Sequence, residues 1–180
     1  YNYRFSKEVH IIYSTDGITW SSVGTVDNIG IAGSIIALDN NQDLFVYSDS
    51  LSTYWNLVYR TSSDAGNMWS EKQVLHSSLF NDTDPRLVKG NDGKIWIYFQ
   101  REDATVFPQF YQSEIYFITS TNNGLYWSEP ERFTNYRGND LNPTVTIINN
   151  IPMVSFLSDR AFQDTEKNTQ IFYGTKPEIN

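Results

Sequence analysis

Charged residues able to grip an anionic group recur along this chain, each time at the end of an apolar run. Ser48 ends the run 44–48 and Asp49 follows it, Arg101, Glu102 and Asp103 follow 94–100, and Ser158, Asp159 and Arg160 follow 152–157. Asp82 and Asp84 precede Arg86, and Arg137 and Asp140 precede Pro143. An Arg guanidinium takes a carboxylate through two parallel hydrogen bonds, and a neighbouring Asp or Glu can serve as a general acid. Aromatic rings nearby (Tyr54, Trp55, Phe107, Phe110, Tyr111) could stack on a sugar. Asp84, Arg86, Arg101, Glu102, Asp140, Asp159 and Arg160 are therefore the candidate ligand-binding set, fitted to a sugar acid. Arg86 falls just inside a predicted strand, where a cation needs a partner or a ligand. The alternative is that these charges pair with one another and solvate a rim.

Other chemistries find little support. The chain has no Cys, hence no disulfide framework and no thiol nucleophile. His10 and His76 have no acidic or Cys neighbours at metal-ligand spacing, and no phosphate loop or dinucleotide fingerprint occurs. No metal or cofactor is expected. A net charge of −8, with the 13 basic residues scattered, argues against nucleic acid and anionic membrane as partners. No apolar run is long enough for a membrane span. The chain opens without Met, so a signal peptide could have been removed, and an extracellular or cell-surface location is expected.

Three copies of a short turn position these residues. They read Ser14-Thr-Asp16-Gly17-Ile-Thr-Trp20, Ser62-Ser-Asp64-Ala-Gly66-Asn-Met-Trp69 and Ser120-Thr-Asn122-Asn-Gly124-Leu-Tyr-Trp127, each after a β-rich run. The Asp or Asn can accept from backbone N–H groups a residue or two ahead. The Gly supplies a positive φ without Cβ strain, and the Trp is a large apolar anchor. The first copy is one residue short, so a different turn is expected there. Successive Trp residues lie about 50 and 60 positions apart, the length of a four-stranded propeller blade.

Between the turns, apolar alternation and Gly/Asn punctuation give strands and no credible helix. Asn91-Asp92-Gly93 is a strong hairpin signal. The fold expected is all-β, with antiparallel four-stranded blades over one domain, 1–180. Approximate units are 1–27 (partial), 33–77, 84–135 and 142–180 (partial). Asp82, Asp84 and Asp140 fall in the links between units. About three blades are too few for a closed ring. The chain could be a piece of a longer protein, half of a ring completed by a second copy or a partner, or a small closed ring.

The Ser-x-Asp-x-Gly-x-x-Trp pattern resembles the Asp-box, or BNR repeat, of sialidase-like β-propellers. That resemblance implies a six-bladed ring and an active site on the rim away from the boxes. Ser14, Asp16, Gly17, Trp20, Ser62, Asp64, Gly66, Trp69, Ser120, Asn122, Gly124 and Trp127 are then structural. It also implies an arginine triad, an acidic proton donor and a Tyr–Glu nucleophile. The Phe/Tyr-Arg-Ile-Pro motif of the first arginine is absent; Asp84-Pro85-Arg86-Leu87 has its Pro before the Arg. Arg86, Arg101 and Arg160 cannot be matched individually to a triad, and no catalytic residue is assigned. Three readings stand: a glycan-recognition module or incomplete part of a sialidase-like protein, an exo-sialidase-like hydrolase, and a structural repeat of a larger extracellular protein. The missing motif favours the first, with carbohydrate as the ligand.

Overall fold

The computed structural model describes residues 8–50, 53–103, 112–136, 138–159 and 170–175. Among them every regular element is a strand. The strands are β1 (Val9–Tyr13), β2 (Ser21–Asp27), β3 (Ile31–Ala37), β4 (Asp43–Asp49), β5 (Asn56–Ser62), β6 (Gln73–His76), β7 (Asn81–Lys89), β8 (Ile95–Asp103), β9 (Gln112–Ser120), β10 (Glu131–Arg132), β11 (Asp140–Ile148), β12 (Ile151–Ser158) and β13 (Gln170–Gly174). They form four antiparallel sheets in chain order, with two, four, four and three strands. These are the blades of a β-propeller.

Alternation along each second strand explains why the blades stack. In β4, Leu44 and Val46 face the third sheet in one apolar cluster, while Phe45 and Tyr47 face the first sheet in another. In β8, Ile95, Ile97 and Phe99 join the cluster with the second sheet, and Trp96 and Tyr98 the cluster with the fourth. Successive residues point to opposite faces, so a strand buried on both sides reads as a continuous apolar run. β3, β7 and β11 are the first strands of their sheets, and β7 contacts both of the others.

The three turns repeat one staple. Ser Oγ accepts from the Gly N–H at 2.8, 2.9 and 3.0 Å, at Gly17, Gly66 and Gly124. Each Ser also donates to the Asp or Asn Oδ1 at 2.9 Å. That oxygen accepts from Ile18 and Thr19 in the first copy, from Met68 in the second and from Tyr126 in the third. The Asp or Asn reaches up to four residues ahead, further than the one or two expected, and the Ser, expected to be structural, is the second acceptor of the turn. The shorter first copy keeps the staple. It uses one positive-φ residue, Gly17, where the others use Ala65-Gly66 and Asn123-Gly124.

The second and third turn Trp residues pack against the preceding blade. Trp69 packs on Phe45 (centroids 5.9 Å apart) in the cluster between the first and second sheets. Trp127 packs in the cluster between the second and third. Trp20 is 59% exposed, having no earlier sheet among the described residues to pack on.

Candidate functional site

The loops between blades and those joining second to third strands lie on the rim away from the three turns. There, β3, β7 and β11 each break register at the same place, between Ile31 and Gly33, Thr83 and Arg86, and Leu141 and Thr144. Inside each break sits a non-Gly residue at positive φ: Ala32 (43°), Asp84 (53°) and Asn142 (51°). Such bulges re-aim side chains and gather beside functional sites. Only the middle one, flanked by the other two first strands, carries a charge.

The sequence reading placed Asp82, Asp84 and Asp140 in inter-blade links and Arg101 and Glu102 beyond a strand end. All five lie within β7, β11 and β8. The strands run further because side chains and backbone cross-link their ends to neighbours. The Asp82 N–H donates to the Trp55 carbonyl at 2.9 Å, and the Trp55 N–H to Asn81 Oδ1 at 3.1 Å.

Most charged candidates are already engaged. Arg101 donates twice to Asp82, from Nε to Oδ1 at 2.7 Å and from Nη2 to Oδ2 at 2.8 Å. Asp82 is fully buried, and the guanidinium lies over the rings of Phe80, Phe99 and Tyr116. Glu102 accepts from Asn81 Nδ2 at 2.9 Å. Asp140, fully buried, accepts from Ser158 Oγ at 2.5 Å. Asp159 accepts from the backbone N–H of Asn139 at 2.6 Å and from its Nδ2 at 3.0 Å. These contacts tie β7 to β8, β11 to β12, and the segments just beyond the last pair. Arg160, with Arg137, Phe107, Phe110 and Tyr111, lies outside the described residues.

Asp84 and Arg86 remain uncommitted, and both are half-buried. Among the described residues, Arg86 donates only from Nη1 to the carbonyl of Pro85, at 2.9 Å. Asp84 makes no hydrogen bond or ion pair among the described residues. A guanidinium carries five donors, so most of those of Arg86 are open to water or a ligand.

Two further carboxylates matter to the frame, buried Glu114 and half-buried Asp27. Glu114 accepts from Arg132 Nη2 (2.5 Å), Thr134 Oγ1 (2.5 Å) and the Tyr136 N–H (2.7 Å). Its only sequence signal was a carboxylate inside the apolar run of β9. Asp27 on β2 accepts from Tyr47 (2.5 Å), Arg60 (3.1 Å) and Lys72 (3.2 Å), and Lys72 also pairs with Asp49. Burial pushes the Asp27 carboxyl up, but Tyr47, Arg60 and Lys72 outweigh it and hold it well below the usual range. This network ties the first sheet to the second.

The same fold occurs in sugar-cleaving enzymes. The GH93 alpha-L-arabinofuranosidase of Fusarium graminearum, in complex with arabinobiose, is 16% identical, with a TM-score of 0.72, over 96% of this chain and 55% of that one. The alpha-L-arabinanase of Penicillium chrysogenum, also with arabinobiose, is 15% identical, with a TM-score of 0.69, over 97% and 56%. The endo-arabinase of Bacteroides thetaiotaomicron is 14% identical, with a TM-score of 0.67, over 93% and 66%. The chain thus has the β-propeller fold of glycoside hydrolases and spans a little over half the length of the first of these. No protein-family model matches the chain, and no curated protein does.

Proposed function

We propose that this chain is the sugar-recognising part of a carbohydrate-active propeller, and that its ligand sits on the bulge rim at Asp84 and Arg86. One observation carries the reading. Those two are the described rim candidates whose side chains are not consumed by the frame, and they flank a strained bulge in the first strand that is bordered on both sides. A half-buried cation with unfilled donors and a half-buried carboxylate are costly without a partner, and sugar hydroxyls satisfy both. The sugar class follows from the similar structures, two of which hold arabinobiose, so arabino-oligosaccharides are the first ligands to try. The three staple turns act as Asp-boxes in the structural sense, on the opposite rim.

Hydrolysis is the second reading, favoured by the match of nearly the whole chain to arabinan-cleaving enzymes. An arginine triad for a sialic acid draws less support, because Arg101 is spent on Asp82. The test is calorimetric titration with arabinobiose and, separately, with a sialoside, for the parent protein, Arg86→Ala and Asp84→Asn. Arabinobiose binding that both variants weaken supports the proposal. Binding that neither variant changes, or that only the sialoside shows, refutes it. Release of chromophore from an aryl arabinofuranoside, lost in Asp84→Asn, would establish the hydrolytic reading.

A further inference from the structure

We infer that the chain carries a second saccharide site, on the rim that bears the staple turns, in the seam between the second and third sheets. A crevice of about 410 Å³ opens there, within the size range of small-ligand sites. Both its walls belong to complete four-stranded sheets of this chain. One wall is the turn after β3 with β4, β5 and β6; the other is the third staple turn, at Asn123, Gly124 and Leu125.

The lining has the two properties a neutral sugar needs. Tyr59 and Leu125 give an apolar surface for the C–H face of a ring, over a floor of buried Leu38 and Leu44; Leu125 is 75% exposed, so it projects at the mouth. Around them stand uncommitted polar groups. The side-chain amide of Gln73, the carboxylate of Glu71 and the Tyr59 hydroxyl make no hydrogen bond among the described residues. Gln42 accepts from Asn40 at 2.7 Å through Oε1, which leaves its Nε2 donors free. Amide donors, a carboxylate acceptor and an aromatic ring are what vicinal hydroxyls and a C–H face pair with.

Charge narrows the class. No Lys, Arg or His lines the crevice, and its one ionic group is the Glu71 carboxylate. Phosphate, sulfate, uronate or sialate would be repelled and would find no cation. The ligand is therefore a neutral oligosaccharide. The site is independent of the bulge rim, so it would hold sugar whether or not Asp84 and Arg86 do.

The test is a heteronuclear NMR titration of the protein with arabinotriose, with sialyllactose as the anionic control. The amides of Thr61, Gln73, Gly124 and Leu125 should shift with arabinotriose and not with sialyllactose. Gln73→Ala and Leu125→Ala, both at exposed positions, should fold normally and weaken that binding by about tenfold each, as expected for one lost contact. Arg86→Ala, at the other rim, should leave the shifts of these four crevice amides unchanged, whatever it does to sugar bound at the bulge. Shifts confined to residues around Asp84 would overturn the second site and leave the bulge-rim reading standing. Equal binding of sialyllactose, affinity unchanged in both crevice variants, or shifts produced only by a basic peptide would also overturn it.

Discussion

Arg101 decides how this rim is read, and Asp82→Ala tests it. Arg101 is 11% exposed and Asp82 is not exposed at all, joined by two charge-assisted hydrogen bonds of 2.7 and 2.8 Å. Removing the carboxylate leaves a nearly buried cation with three aromatic rings and no counter-charge. Breaking a buried pair from one side costs about 3–5 kcal/mol, which for a chain of this length is a melting drop of roughly 6–20 °C. Arg101→Met should cost nearly as much, since among the described residues the Asp82 carboxylate would keep only the Ser78 hydroxyl at 3.1 Å. The double variant Asp82→Leu/Arg101→Met should recover most of the loss, because apolar groups of similar volume replace a buried pair at little cost. A coupling of about 2–3 kcal/mol between the two sites is expected from urea unfolding. An Asp82→Ala protein destabilised by less than about 1 kcal/mol would refute the structural assignment and return Arg101 to the list of ligand grips.

Trp127→Ala should cost about 3 kcal/mol, by emptying the seam between the second and third sheets, whereas Trp20→Ala should cost about 0.5 kcal/mol; equal losses in chemical denaturation would contradict the wedge role of the turn Trp. Asp27 is held below the ordinary carboxyl range when folded, so its contribution is fully present above pH about 4 and fades as the solution is acidified below that. Asp27→Asn should therefore flatten the acid limb of a stability-versus-pH curve, and an unchanged limb would show that the network contributes nothing. At the second staple, Asp64→Asn should melt near the parent and Asp64→Ala clearly lower, since Asn122 already accepts from Tyr126 and Ser120 in the third copy; the reverse order would refute the staple. Gly33→Ala should cost about 1–3 kcal/mol by overpacking, because its Cβ would sit 2.4 Å from the Phe45 ring; a variant as stable as the parent would mean that Phe45 yields freely.

The amino-acid sequence determined the local rules of this protein. Alternation with both faces apolar made β4 and β8 inner strands, and the Ser, Asp and Gly of each turn dictated its staple, because these effects act over a few residues. The Asn122 copy showed that the staple needs an acceptor oxygen rather than a charge. Position in space was decided elsewhere. Seven charged residues looked alike along the chain, and only the tertiary structure separated Arg101, locked to Asp82, from Arg86, which has one backbone acceptor. The bulges at Ala32, Asp84 and Asn142 are three different residues with one backbone conformation, so no residue pattern announced them. Glu114 and Asp27 read as ordinary acidic residues until the fold brought Arg132, Thr134, Tyr47, Arg60 and Lys72 around them. Hydrogen-bond partners of a buried charge come from neighbouring strands and sheets, and that pairing is fixed by register and stacking rather than by proximity along the chain.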